Sequence, residues 1–423
     1  MMSNLNFFLL AAFLLTLFTP SVTGTTASIP LSHNADAPRH GPSEVLRTLI
    51  KYNQSVPDGL QRAVDEYNAR MNGDADVGGI VPAQPMDGDL EWIEPIDIGT
   101  PPQKLFLDLD TGSSDTWVFS TETKASEVEN QTLWSPVLSS TSELIRGCNW
   151  SILYGDFSTS SGSCYRDTFA LGNLTIENMT IQSAESVSDM FSKSSFMSGL
   201  AGLGWPALRQ TVPLQKSLLQ FLPDVLTDAL FTVDLRHNSS DGSFNFGFIN
   251  DSLHTGNISY TDIDNSLGFW AVNHTAFGIN GINLTWSYLT PQSVIMDTGT
   301  TLLFAPKGAV DTYYMNVTGA YFDQIQYGYC FPCGPTDPTP PDFLWVLEDQ
   351  AGNTVKGFVP GEYVVYDKVT DDNCYGGIQS IEGFPGVDGI FGDIFLKSNF
   401  MVFDITGQRV GIAPKPLSFN NTM

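Results

Sequence analysis

From about residue 85 onward the apolar positions fall in short runs rich in Val, Ile, Leu, Phe and Tyr, separated by Gly, Pro, Asn, Asp and Ser. Runs of that length between turn formers predict strands, so the body of the chain reads as all-β. Three segments carry helical spacing instead: residues 43–52, 60–71 and 214–230. The first two precede the β-rich body. One further stretch is apolar without interruption, residues 7–18 (FFLLAAFLLTLF).

That stretch has the length of a signal-peptide core, short for a membrane span, and Val22, Thr23 and Gly24 follow as small residues suited to cleavage. Residues 1–24 are therefore expected to be a signal peptide, and the tail 415–423 offers no hydrophobic segment for a lipid anchor. Twelve Asn-X-Ser/Thr sequons, beginning with Asn53, fit export. A soluble secreted glycoprotein is expected, with delivery to a vacuole as the alternative, since both routes share one signal.

Charge divides the chain further. The 46 acidic side chains outnumber the 19 Lys plus Arg, for a net charge of −27. Residues 1–24 hold no charged side chain and residues 25–73 hold equal numbers of each sign, so the whole excess lies beyond residue 73. A chain this poor in bases cannot neutralise phosphates, and nucleic acid is excluded as a partner. Crowded carboxylates repel at neutral pH, which predicts greater stability in acid. The charge-balanced, helix-patterned residues 25–84 read as a removable propeptide.

The chain also repeats itself. Leu105-Phe-Leu-Asp-Leu-Asp110-Thr-Gly-Ser recurs in outline as Ser293-Val-Ile-Met-Asp297-Thr-Gly-Thr, 187 residues later. Each copy is an apolar strand, an Asp-Thr-Gly turn and a hydroxyl residue. Gly199-Leu-Ala-Gly202-Leu follows the first copy, and Gly389-Ile-Phe-Gly392-Asp follows the second. A glycine at such a place lets one backbone approach another closely.

These motifs resemble the pepsin-like aspartic proteases, and most closely the fungal aspergillopepsin and penicillopepsin branch. The resemblance covers about residues 91–414, through IGTPPQ (98–103), DTGSSDTWVFS (110–120), YGD (154–156), DTGTTLL (297–303), FPC (331–333), CYGGIQS (374–380) and FGDIFLKSNFMVFD (391–404). It implies a bilobal all-β fold with pseudo-twofold symmetry and a cleft between lobes 85–253 and 254–414. It further implies an aspartic endopeptidase that hydrolyses peptide bonds in protein or peptide substrates, binds pepstatin-like inhibitors, works as a monomer, and uses no cofactor or metal.

By the same resemblance Asp110 and Asp297 are the catalytic pair. Two carboxylates brought together cannot both ionise easily, so they share a proton, an effect for which aspartic proteases are the standard illustration. Thr111 and Thr298 are expected to bond across the two turns. Gly112 and Gly299 are expected to allow the tight backbone, and Ser113 and Thr300 to hold the outer carboxylate oxygens. Tyr154, Gly155 and Asp156 correspond to a flap that closes over substrate, with Tyr154 bonding the indole of Trp117; Phe157 departs from the usual Gly at the flap tip. Asp108, two residues before Asp110, shares its strand face; it is either a negative group in the cleft or an ordinary surface carboxylate. Lys51 and Tyr52 match the inhibitory Lys-Tyr of the family's propeptides, or else sit on an ordinary amphipathic helix.

Cys148 and Cys164 are equidistant from Asp156, so a hairpin folded there would set them face to face and a disulfide is expected. Cys333 and Cys374 match the family's C-terminal-lobe disulfide. Cys330 is left as a buried thiol or an alternative partner for Cys374. Paired carboxylates also serve glycosidases, but those need no duplicated Asp-Thr-Gly. Only His237, His254 and His274 follow residue 73, without His-Glu-X-X-His or Gly-X-Ser-X-Gly, against metal and serine enzymes. The remaining alternative is a catalytically inactive pepsin-like protein that binds peptide or carbohydrate.

Overall fold

A computed structural model describes residues 24–33, 39–71, 92–153, 159–192, 197–237, 239, 242–280, 285–349, 351–380, 384 and 386–417. Among them strands dominate and assemble into sheets of nine, seven, six and four strands. The nine-stranded sheet takes its strands from the first half of the chain and folds back on itself where Thr159–Leu171 also pairs with Trp92–Ile98. The seven-stranded sheet belongs to the second half. The six-stranded sheet joins strands from both halves and so ties the two lobes together.

The internal duplication is visible in the register. Strand Gln103–Asp110 runs parallel to Gly199–Gly202, placing Asp110 opposite Gly202. Strand Thr285–Met296 likewise runs parallel to Gly389–Phe391, placing Met296 opposite Phe391. In each half the strand after the Asp-Thr-Gly turn, Thr116–Phe119 or Leu303–Phe304, then pairs antiparallel with the glycine-flanked strand. A side chain at Gly202 would put Cβ 2.6 Å from the Ser114 backbone, and one at Gly392 would put it 2.1 Å from the Thr300 carbonyl. These glycines are spacers that let the turns close on the strands beside them.

Burial explains why the strands sit as they do. Leu105, Leu107 and Leu109 are buried on one face of their strand, each such side chain contributing roughly 1.5–3 kcal/mol. Asp108 and Asp110 consequently face the other way. Two short strands from the N-terminal stretch enter the body: Ala27–Pro30 edges the six-stranded sheet beside Ser243–Phe246, and Ser32–His33 edges the nine-stranded sheet beside Trp92–Ile98. Ala27, Ile29 and Leu31 are buried in the main core.

Two helices follow, where periodicity predicts them: α1 (Gly41–Lys51) and α2 (Asp58–Met71). Pro42 and Glu44 in the first turn of α1 and Lys51 in its last suit the helix dipole. Val45 and Leu49 pack into the core, while Glu44, Thr48 and Lys51, spaced i, i+4, i+7, face the cavity between the lobes. The helix expected over 214–230 is a correction. Only Leu218–Val225 is helical, opened by the Ser217 N–H donating to Gln220 Oε1 at 3.0 Å. The apolar run that follows becomes strand Leu230–Asp234, because it lies between Ser243–Phe246 and Asn399–Asp404 and its buried backbone takes hydrogen bonds from both.

Cys148 and Cys164 form a disulfide with Cα atoms 5.5 Å apart. The flanking ladder, Asn149 opposite Ser163 through Leu153 opposite Thr159, has the register the equal spacing implies. Cys333 and Cys374 form the second disulfide, and Cys330 is a free, buried thiol. Burial, aided by Asp323 and Asp367, pushes that thiol up to about 12, so it stays protonated. No helix among the described residues is long and apolar enough to cross a membrane.

Candidate active site

The two Asp-Thr-Gly turns meet at the lobe boundary and interlock through their threonines. Thr111 N–H donates to Thr298 Oγ1 and Thr298 N–H to Thr111 Oγ1, each at 3.0 Å. Each hydroxyl donates onward to the strand that carries the opposite aspartate: Thr111 Oγ1 to the Met296 carbonyl at 2.8 Å, Thr298 Oγ1 to the Leu109 carbonyl at 2.5 Å. Four bonds, all buried, thus fix the separation of the turns.

Within each turn the glycine N–H donates to its own aspartate, Gly112 to Asp110 Oδ1 at 2.8 Å and Gly299 to Asp297 Oδ1 at 3.0 Å. Neither glycine is required by a positive φ. The constraint is approach: a Cβ on Gly112 would lie 2.5 Å from Asp297 Oδ1, and one on Gly299 would lie 2.5 Å from Asp110 Oδ1. Each carboxylate therefore occupies the space above the other turn's glycine.

The hydroxyl residues after the glycines differ. Thr300 Oγ1 donates a short hydrogen bond to Asp297 Oδ2. Ser113 is close enough to Asp110 to favour its charged form, yet Ser113 Oγ and Asp110 Oδ2 are both buried without a hydrogen-bond partner. Asp110 is held through its other oxygen instead, by Gly112 and by Lys51.

Lys51, at the end of α1, reaches between the two carboxylates. Its Nζ donates to Asp110 Oδ1 at 2.8 Å and to Asp297 Oδ1 and Oδ2 at 2.9 Å. Tyr52 OH donates to Asp297 Oδ2 at 2.6 Å, with its ring packed between Phe269 and Phe384. Glu44 anchors the same helix, accepting from Thr301 Oγ1 at 3.0 Å.

Burial opposes charge on Lys51, but Asp110 and Asp297 outweigh it and hold the ammonium above the ordinary lysine range. Asp110 is raised by burial, which Lys51 only partly offsets. For Asp297 burial acts the same way, but Lys51, Thr300 and Tyr52 together prevail and pull it below the usual carboxylate value. The pair is therefore electrically asymmetric.

Asp108 is partly buried and lines the same cavity as Asp110, Trp117 and Lys51. Burial and the charge of Asp110 raise its carboxyl well above the usual value. Trp117 is buried in an aromatic cluster with Phe119, Trp150 and Phe191. Tyr154, Gly155, Asp156 and Phe157 lie outside the described residues, and so does any contact of Tyr154 with Trp117. Two residues at the site escape the motif reading. Glu44 is betrayed only by its i, i+7 spacing to Lys51, and Glu94 by standing where Ile96 and Ile98 of the same strand face are buried.

The family model for eukaryotic aspartyl proteases matches residues 91–415. Podosporapepsin of Podospora anserina is 39% identical over 402 residues, which cover 92% of this chain and 90% of that protein. Endothiapepsin of Cryphonectria parasitica is 38% identical over 381 residues (89% and 87%), and aspergillopepsin-1 of Aspergillus oryzae 36% over 376 (89% of each).

Proposed function

Because the chain belongs to the eukaryotic aspartyl protease family, and is thus an aspartic endopeptidase with a bilobal all-β fold, we propose that Asp110 and Asp297 are its catalytic pair. One observation carries this reading: a single ammonium, Lys51 Nζ, lies within 2.9 Å of both carboxylates. Groups that can share one cation can share one water.

In the working enzyme that water would sit where the ammonium does. Asp297, whose charged form the Thr300 hydroxyl favours, takes a proton from it as its oxygen attacks the peptide carbonyl carbon. Asp110, the carboxyl that burial raises, holds the shared proton and gives it to the carbonyl oxygen. The resulting tetrahedral diol collapses as a proton passes to the leaving nitrogen, and no acyl-enzyme forms. The interlocked threonines supply preorganisation, holding both carboxyls in place before substrate arrives. The segment YGD at 154–156 is proposed as the flap over this site, and Asp108 as a negative group beside it.

The same geometry supports synthesis as a zymogen. With Lys51 and Tyr52 on the carboxylates no peptide can reach them, so residues 25–84 act as an inhibitory propeptide that acid releases as carboxylates are protonated. The leading apolar segment, two disulfides and the sequons support export as a glycoprotein after removal of residues 1–24.

Digestion of a denatured protein in acid, with and without pepstatin and beside Asp110→Asn and Asp297→Asn, tests the mechanism. Pepstatin-sensitive cleavage by the unaltered chain and its loss in both variants is expected. Cleavage that resists pepstatin, or persists in either variant, removes the assignment, and no cleavage at all favours a binding-only protein.

A further inference from the structure

Glu94 lies on strand Trp92–Ile98 and is fully buried, on the face it shares with Ile96 and Ile98. A carboxyl at such a position is costly unless it is bonded or neutral. Its Oε2 accepts from the Leu109 N–H at 3.3 Å. The place of that bond matters. The ladder between Trp92–Ile98 and Gln103–Asp110 ends at the pair Glu94 and Leu107, so the Leu109 amide lies just past it, and the Glu94 side chain supplies the acceptor that the strand backbone no longer does.

Leu109 connects this bond to the chemistry. Its carbonyl accepts from Thr298 Oγ1, the threonine that interlocks the two turns, and the next residue is Asp110. The opposite oxygen, Glu94 Oε1, is buried with no hydrogen-bond partner. The charged groups that bear on this region are Asp108 and Asp110 on the neighbouring strand, Asp115 beyond the turn, Asp393 at the start of helix Asp393–Leu396, and Glu44, Arg47 and Lys51 on α1. The cationic ones, Arg47 and Lys51, both lie on α1 and leave with the propeptide.

We propose that Glu94 is a positioning residue of the catalytic pair: as a neutral carboxyl it caps the strand that delivers Asp110 and holds Leu109 in register with Thr298. The inference rests on the roles proposed above for Asp110 and Asp297. Burial, with Asp393 adding to it, outweighs the Leu109 N–H bond, which by itself favours the charged form, and raises the Glu94 carboxyl well above the usual value, in keeping with a neutral group in acid. Its ionisation would put an uncompensated charge beneath Asp108 and Asp110, so the cap holds in acid and fails as pH rises.

Three full-length variants, assayed in acid beside wild type, test this. Glu94→Leu removes the acceptor and is expected to lower kcat by about tenfold or more with KM little changed, since Asp110 is displaced while the substrate walls are not. Glu94→Gln keeps a neutral acceptor for the Leu109 amide and is expected to recover most of that kcat. After incubation at rising pH and return to acid, Glu94→Gln should also retain activity from a higher pH than wild type. A Glu94→Leu chain with wild-type kcat, or a Glu94→Gln chain as impaired as Glu94→Leu or inactivated at the same pH as wild type, overturns the assignment. Should Glu94→Leu fail to fold, the Gln chain alone decides by its kcat and its inactivation pH. Asp110→Asn reads the catalytic roles separately, because activity in that variant defeats them whatever Glu94 does.

Discussion

Lys51 is the residue on which the resting state turns. On the proposed mechanism its ammonium stands where the catalytic water would, and the bond is strongest where both carboxylates are charged. Lys51→Met should therefore leave the full chain cleaving peptides at mildly acidic pH, where the unaltered chain is silent; a fluorogenic peptide assay of freshly purified protein, run before processing occurs, would show the difference. Thr298 has the opposite sense. Thr298→Ala strands the buried Thr111 N–H and the Leu109 carbonyl, each costing about 1–3 kcal/mol when unsatisfied, and should lower both kcat and Tm, whereas Thr298→Ser should restore them. Gly112→Ala should be more damaging than its size suggests, because its Cβ would lie 2.5 Å from Asp297 Oδ1. At this scale the sequence was most informative where two copies of one motif could be laid side by side. It was least informative at Ser113, since a serine's presence says nothing of whether its hydroxyl meets Asp110 Oδ2. Glu94 and Glu44 belong to no motif, and only tertiary packing reveals what they touch.

Among the elements, the hairpin closed by Cys148 and Cys164 was legible because equal spacing about Asp156 fixes a register, and a two-residue period permits few alternatives. Closing a loop of this length contributes about 3 kcal/mol through the unfolded chain. Replacing both cysteines by serine should lower Tm by several degrees in unfolding followed by circular dichroism, and should raise KM more than it changes the dyad, since the bridge braces the strands leading to residues 154–158. The segment 214–230 shows the reverse. Its apolar spacing suited a helix throughout, but only Leu218–Val225 is helical, and its last residue, Leu230, opens a strand claimed by two neighbouring strands; a local pattern cannot register a partner that lies some 170 residues away. The strands Ala27–Pro30 and Ser32–His33 went unread for a related reason: they are too short to show a period and exist through the sheet edges they complete.

For the whole molecule, the acidic excess argues for stability in acid, and the buried groups refine that expectation. Asp367 is raised to about 7, chiefly by burial; its contribution is fully present below the unfolded carboxylate value and is lost as pH rises through about 7. Glu94, Asp108, Asp110 and Asp115 are raised as well and act in the same direction. His274 opposes them. Burial among Tyr288 and Phe391 lowers it to about 3, so its contribution is present above the unfolded value of 6.5 and is lost as pH falls. Tm should accordingly be higher near pH 5 than near pH 7.5 and should drop again in strong acid. At about pH 5, His274→Phe should recover on the order of 2 kcal/mol if the ring packs as well, read from urea unfolding at two pH values. The bilobal plan was legible through the duplicated motifs, but the sharing of one sheet between both ends of the chain was not.

That shared sheet carries a consequence for the protein after maturation. Ala27–Pro30 is one of its two edge strands, covering the backbone of Ser243–Phe246 and filling the core with Ala27 and Ile29. Departure of the proposed propeptide, residues 25–84, would bare a row of unpaired N–H and C=O groups beside a groove emptied of two apolar side chains. Such an edge recruits any extended chain within reach. Processing is thus also a moment of stickiness: unless a segment newly freed at the cut end swings in to take the vacated place, freshly converted molecules would pair with one another, and the yield of active enzyme would fall as protein concentration rises.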